Sequence, residues 1–143
     1  MKVTQEVWDL IQKHLGYTDE EMKLFRADPK NEQVMSMAPA LMNKTIVFEV
    51  VKSEGCNTRH KVGDKFYFDG AGNLITKLSP KRICVYALNV LAVPVFAMNE
   101  LFYAGVDPNE MRFKRASCFD VGVKCGGWGQ IVMEMRVEDR KKE

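Results

Sequence analysis

The sequence predicts an α+β fold: a small, mostly antiparallel β-sheet, a kinked central helical stretch and a helical cap at the N-terminus. Residues 1–42 carry apolar side chains at helical spacing, whereas the segments after Lys44 are rich in β-branched residues that favour strands. The 143 residues are enough to bury a core. We therefore expect a helical extension over residues 1–42, an α+β core domain over residues 43–138, and a charged tail over residues 139–143.

Cap signals divide the N-terminal extension into three expected helices. Thr4 is placed to cap the first helix, which Gly16 would end. The run from Thr18 to Glu21 has the pattern of a capping box, and Pro29 would open the third helix. His14 falls in the last turn of the first helix, where a cation complements the helix dipole, so a structural role is expected for it.

The core domain should contain four strands and one interrupted helix. Ser79 followed by Pro80 predicts a helix that runs towards Leu91, with a kink or restart at Pro94. This helical stretch should end near Ala104 and Gly105. The strands are expected over residues 45–51, 65–68, 113–121 and 130–137.

Charge and hydropathy exclude several classes of protein. The net charge of +2 is too balanced for a dedicated nucleic-acid-binding protein. Residues 43–143 carry a net +4 against −2 for residues 1–42, so an acidic ligand or partner is expected for the later part. No apolar signal segment follows Met1, and Pro94 and polar residues break the longest apolar stretch. We therefore expect a cytoplasmic protein without a membrane span, whose four cysteines are reduced thiols or ligands.

The first candidate site combines thiols with one imidazole. Cys56 and His60 are close enough in sequence to reach one metal ion from a tight loop. Cys84 near a helix start, Cys118 in a strand and Cys125 in the following loop could complete a zinc or iron–sulfur site. The spacing argues against this, because closed zinc sites usually use ligand pairs only a few residues apart. Buried thiols without a metal are the alternative.

The second candidate site would hold a small anionic molecule. Lys81 and Arg82 follow the expected helix start and could bind its carboxylate or phosphate group. The glycine-rich loop around Trp128 could close over it, since the indole offers a face for stacking. In the alternative interpretation the cations form a solvated rim and Trp128 folds back on the core.

The spacing of these residues resembles that of a protein family. Cys56 begins a Cys-x-x-x-His-Lys-Val-Gly-Asp-x-Phe segment, Cys84 follows at a helix start, and Cys118 lies near the end. This arrangement, over roughly residues 44–137, is similar to that of a group of small bacterial and archaeal proteins of unknown function. The resemblance implies that Cys56, His60, Cys84 and Cys118 form a shared polar core. The N-terminal helices and the loop around Cys125 depart from the pattern.

These observations leave three functions open. The first is a metal- or iron–sulfur-binding accessory protein in an anaerobic or redox enzyme system of a bacterium or archaeon, associated with a larger enzyme subunit. The second is a binding protein or enzyme for a small anionic molecule. The third is an interaction module that forms a homodimer or larger homo-oligomer through its apolar helices or an edge strand.

Overall fold

The computed structural model describes residues 2–143, which form two compact units, residues 2–40 and residues 41–143. Helices α1 (Gln5–Leu15) and α2 (Asp19–Ala27) lie in the first unit, and α3 (Pro29–Met42) begins in it. Gly16 ends α1 with a left-handed φ of 72°, and Thr18 and Glu21 form both hydrogen bonds of the capping box. The predicted helical N-terminus is confirmed.

The second unit contains one sheet and one long helix. The strands are β1 (Lys44–Glu54), β2 (Lys65–Asp69), β3 (Arg115–Ser117) and β4 (Gln130–Asp139), and the helix is α4 (Val85–Tyr103). The sheet order is β2-β1-β4-β3, and every neighbouring pair is antiparallel. The predicted α+β class and antiparallel sheet are therefore confirmed.

The core lies between one face of this sheet and α4. Alternate side chains of a strand point to the same face, so Ile46, Phe48 and Val50 of β1 lie together on the core side. Across them pack Ala87, Leu91 and Met98 of α4. The other strands contribute Phe66, Phe68, Ile131, Met133 and Met135.

The predicted start of the long helix was wrong. The helix begins at Val85 with Cys84 at the N-cap, and the Ser79 hydroxyl instead accepts a hydrogen bond from the N–H of Tyr67 at 3.0 Å. Ser79 is thus used to tie the connecting segment to β2. Of the two outcomes expected at Pro94, a restart does not occur, because Pro94 lies inside an uninterrupted α4; the helix ends at Tyr103, near the predicted end.

The third strand is much shorter than the nine residues expected. After Ser117 the backbone continues along β4 with a hydrogen bond from the N–H of Cys118 to Ile131 O. The N–H of Phe119 then donates to Tyr86 O in the first turn of α4. The segment therefore leaves the sheet and turns towards the start of the helix. The predicted tail also differs, because β4 extends to Asp139 and the N–H of Arg140 donates to Asn43 O.

Helix α4 buries one face and exposes the other. Within the described residues it is the one helix long and apolar enough to cross a membrane, with a mean hydropathy of 1.5 and 17% of that window buried. One such helix is weak evidence for a membrane protein, because the core helix of a soluble protein meets the same criterion. Val85, Val93 and Phe96 lie on its exposed side.

Candidate functional site

The sheet register brings two long loops to the same end of the molecule's second unit. Glu54 at the end of β1 pairs with Gln130 at the start of β4. The loop that follows β1, residues 55–64, therefore begins beside the point where the loop of residues 118–129 ends. Cys84 reaches the same place because the N–H of Phe119 is bonded to Tyr86 O at the start of α4.

Two glycines allow the backbones of these loops to touch. A Cβ built on the buried Gly129 would lie 2.7 Å from Cys56 N and closer still to Gly55 O. Gly55 has a left-handed φ of 62°, and a Cβ there would lie 3.0 Å from Trp128 O. No side chain fits between the two loops, so glycine is required by close approach at Gly129 and by the backbone conformation at Gly55.

The loops and the start of α4 enclose a cavity of about 650 Å³, which we call the thiol cavity. Cys56, His60, Cys84 and Cys118 all line it, although they come from separate parts of the chain. Four of the five residues of the first predicted site therefore lie around one space. Cys125 is exposed and does not line the cavity, so the structure does not bring it together with the other four.

His60 is the most buried polar residue of the cavity lining, with 4% of its surface exposed. A turn from Cys56 to Arg59, closed by the hydrogen bond from Arg59 N to Cys56 O, brings the chain back to it. Its ring packs edge-on against Phe66 with 5.0 Å between centroids. Its Nε2 is buried and has no hydrogen-bond partner. An unpaired buried polar atom is costly, which makes this nitrogen a candidate contact for a ligand.

Burial lowers the pKa of His60 below its ordinary 6.5, although the negative charge of Asp64 acts in the opposite direction. The unfolded chain therefore takes up a proton at a higher pH than the folded protein does. We expect the free energy of unfolding to be greatest above about pH 6.5 and to fall as the pH drops through the window between the unfolded and folded pKa values. Urea unfolding at a series of pH values measures the slope of the free energy of unfolding against pH.

The second histidine provides the control for that measurement. His14 is exposed in α1 and does not line the thiol cavity. His60→Gln should flatten the slope below about pH 6.5, whereas His14→Gln should leave it in place. Equal slopes in the two variants would contradict the assignment of the pH dependence to His60.

The three thiols of the cavity are held differently. Cys118 Sγ accepts a hydrogen bond from the N–H of Ile131 at 3.3 Å and lies 3.6 Å from Asp120 O, to which its thiol donates. Cys84 is the N-cap residue of α4, and its side chain makes no capping bond. Cys56 is partly buried and is the first residue of the turn that leads to His60. All are free cysteines.

Asp120 holds the glycine-rich loop in place. Its Oδ1 accepts hydrogen bonds from the N–H groups of Gly122 and Trp128, and its Oδ2 accepts one from Gly129, each at 2.9 Å. These three N–H groups lower the pKa of Asp120 below its ordinary value. The carboxylate therefore stays charged and is occupied by the backbone, so its main role is to fix the loop.

Aromatic side chains surround the mouth of the cavity. Trp128 is 78% exposed, which contradicts the interpretation that it folds back on the core. Tyr86 and Phe119 lie beside each other with ring centroids 6.0 Å apart and also line the cavity. Phe119 is 74% exposed, so the mouth presents large apolar faces to solvent or to a ligand.

The cations of the second predicted site lie elsewhere. Lys81 and Arg82 are exposed on the segment before Cys84, and neither lines the thiol cavity. They precede the observed helix start by several residues because the helix begins later than predicted. Of the residues Lys81, Arg82 and Trp128, only Trp128 is part of the cavity.

The donors of the cavity are not arranged as a closed metal site. Among residues 2–143, no group of three or more His, Cys, Asp or Glu side chains is close enough together to hold a metal ion. The thiols and His60 therefore share a cavity without sharing one coordination point. A role for them as metal ligands stays a prediction.

Several lining residues were missed by the sequence interpretation. The position of Asp120 could have predicted its role, because a carboxylate just before a glycine-rich loop often accepts hydrogen bonds from the N–H groups of that loop. No sequence pattern distinguishes Tyr86 and Phe119 from core residues, since each lies in an apolar segment.

The chain matches no known family model, no curated protein and no solved structure. The similarity to proteins with the Cys-x-x-x-His-Lys-Val-Gly-Asp segment therefore stays a prediction.

Proposed function

We propose that this protein binds a small, flat, uncharged and largely apolar molecule in the thiol cavity. The observation that carries the proposal is the cavity's apolar lining with His60 inside it and aromatic rings at the mouth. Its volume of about 650 Å³ falls within the range of about 300–1,000 Å³ that is typical of small-molecule sites.

The charges around the cavity favour a neutral ligand. Asp120 is the charged side chain in its lining, and three backbone N–H groups already surround the carboxylate. Lys81 and Arg82 lie outside the lining, so they do not offer a counter-charge to an anion inside it. Burial of a charged ligand without a partner would be costly.

His60 favours a ligand with one hydrogen-bonding oxygen. The lowered pKa keeps the imidazole neutral at neutral pH, and its unpartnered Nε2 can pair with a hydroxyl or a carbonyl group. Satisfying a buried polar atom recovers a penalty of about 1–3 kcal/mol. This single polar contact would orient a ligand that is otherwise held by apolar surfaces.

The aromatic mouth favours a flat ligand. Stacked or edge-to-face ring pairs contribute about 0.5–1.5 kcal/mol beyond the burial of their area. Tyr86, Phe119 and Trp128 leave such faces exposed, and a planar ligand would cover them.

A panel of related compounds tests the proposal by isothermal titration calorimetry at neutral pH. We expect a naphthol to bind about tenfold more tightly than naphthalene, because only the naphthol can pair with His60. Naphthoate, an anion, should bind most weakly. Trp128→Ala should weaken naphthol binding by about tenfold, since it removes one aromatic face.

Two control variants accompany the panel. Phe113→Ala removes an exposed ring outside the cavity lining and should leave naphthol binding unchanged. Lys81→Ala/Arg82→Ala should also leave it unchanged. Preferential binding of naphthoate that this double variant abolishes would refute the neutral-ligand proposal and support the anion-binding alternative.

A zinc or iron–sulfur site is a second candidate function, favoured by the lining of one cavity by three thiols and His60. The donors would have to move closer together to bind a metal. An accessory protein of a redox enzyme system, bound to a larger enzyme subunit, would follow from such a site. Elemental analysis of protein purified without oxygen separates this candidate from the first: about one zinc ion, or an iron chromophore, lost in Cys118→Ser would support it.

Self-association is a further proposal, favoured by the exposed apolar residues Val85, Val93 and Phe96 on α4. Large apolar side chains exposed together on a surface often mark an interface. Light scattering distinguishes a homodimer from a monomer.

A further inference from the structure

We propose that Cys84 is the nucleophilic thiol of the thiol cavity, and that the molecule it takes is a conjugated carbon electrophile such as an aromatic α,β-unsaturated carbonyl compound. The inference deepens the proposed function and rests on it for the position of the ligand.

Comparison of the cysteines singles out Cys84. Cys118 has its sulfur engaged as both acceptor and donor, by Ile131 N and Asp120 O. Cys56 precedes a tight turn and not a helix. Cys125 lies outside the cavity. Cys84 alone combines a place in the lining with a place at the start of a long helix.

The start of α4 suits a sulfur nucleophile. The partial positive charge at the N-terminus of a helix stabilises an anion beside it, and the thiolate is the reactive form of cysteine. Helix α4 has 19 residues, and no acidic side chain occupies its first turn. The side chain of Cys84 makes no capping bond, so its sulfur is not committed to the backbone.

His60 provides an independent indication of where the electrophile would bind. It lines the same cavity, is 4% exposed, and has an Nε2 without a partner. In the tautomer with its proton on Nε2, the ring would donate a hydrogen bond to the carbonyl oxygen of a bound enone. That oxygen gains negative charge as the sulfur adds, so a donor fixed there would stabilise the transition state.

The step balances without an oxidant or reductant. The Cys84 sulfur forms a bond to the β-carbon of the enone, and the π-electron pair of the C=C bond moves to give an enolate. The enolate takes one proton at its α-carbon, which replaces the proton that the thiol released. The product is a thioether adduct whose mass is the sum of protein and electrophile.

The test treats the full chain with one equivalent of N-phenylmaleimide, a flat, neutral, conjugated electrophile, and locates the adduct by mass spectrometry. We expect the first adduct on Cys84, although Cys125 is the more exposed thiol. Labelling of Cys84 should appear as a fast phase in the time course of adduct formation. Cys84→Ser should slow the earliest labelling by at least about tenfold. The control Cys125→Ser should leave that phase unchanged. First labelling of Cys125, or an unchanged fast phase in Cys84→Ser, overturns the inference.

His60 is tested by a comparison of two reagents. His60→Gln should slow the reaction with N-phenylmaleimide more than the reaction with iodoacetamide, because only the first builds an enolate at the oxygen beside His60. Equal slowing by both reagents overturns the role of His60. A thermal unfolding curve for the variant shows whether it is folded.

Calorimetry with the naphthol keeps the two proposals distinguishable. Naphthol binding by the unaltered protein, together with loss of the rapid labelling in Cys84→Ser, supports both proposals. Naphthol binding without preferential labelling of Cys84 overturns the inference alone. Preferential labelling of Cys84 in a protein that binds no naphthol leaves the nucleophile in place and refutes the proposed function.

Discussion

Gly129→Ala is expected to lower the free energy of unfolding by about 3 kcal/mol, the upper part of the usual range for overpacking. The new Cβ would lie 2.7 Å from Cys56 N and closer to Gly55 O, and both neighbours are backbone atoms that cannot rotate away. The two loops would have to separate. Because the Trp128 and Cys56 segments both border this contact, naphthol binding should be lost as well. Urea unfolding and calorimetry measure the two effects.

Gly126→Ala is the matched control within the same loop. A Cβ at Gly126 meets nothing within 4 Å, so this variant is affected only by the strain of its left-handed φ of 90°, about 1–2 kcal/mol. Naphthol binding should survive in it. If Gly129→Ala bound naphthol like Gly126→Ala, the contact between the loops would not be needed for the cavity.

Phe66→Ala should lower the free energy of unfolding by about 3–5 kcal/mol, as expected for loss of a fully buried aromatic ring. Phe66 has no exposed surface and belongs to the main core cluster. It also supports His60, whose ring packs edge-on against it at 5.0 Å. The substitution should therefore weaken naphthol binding even at temperatures where the variant stays folded. Thermal and urea unfolding give the stability change.

Phe113→Ala serves as the control for this substitution. Phe113 is 73% exposed, and its ring contacts the guanidinium of Arg112. Removal of an exposed ring should change the free energy of unfolding by no more than about 0.5 kcal/mol. A loss in Phe113→Ala as large as that in Phe66→Ala would show that the measured effect does not come from core burial.

Local signals in the sequence predicted the helices and strands where a nearby residue decides the outcome. Gly16 ends α1 and Thr18 caps the start of α2 because capping involves atoms only a few residues apart. The helix start predicted from Ser79 was wrong because a local signal was read without its distant partner. Its hydroxyl was free to bind either a following helix or a distant strand, and the bond to Tyr67 on β2 decided between them.

The sequence predicted most of the reactive residues of the candidate site, but it did not predict how they are arranged in space. Cys56 and His60 stood out by spacing, and Cys84 and Cys118 by residue type, and all four line the thiol cavity. Cys125 was included on the same grounds although it lies outside. Residue type identifies groups able to do chemistry, but only the path of the chain determines which of them face one space.

The sequence alone therefore determined the α+β class, the helical N-terminus and the segments that carry thiols and the imidazole, because these follow from local spacing and residue chemistry. Tertiary structure decided the rest. The pairing of Glu54 with Gln130 and the contact of Gly55 with Gly129 join residues far apart in the chain. Such contacts depend on strand register and backbone approach, which no local pattern specifies. They place the unpaired Nε2 of His60 and the uncapped thiol of Cys84 around one apolar cavity.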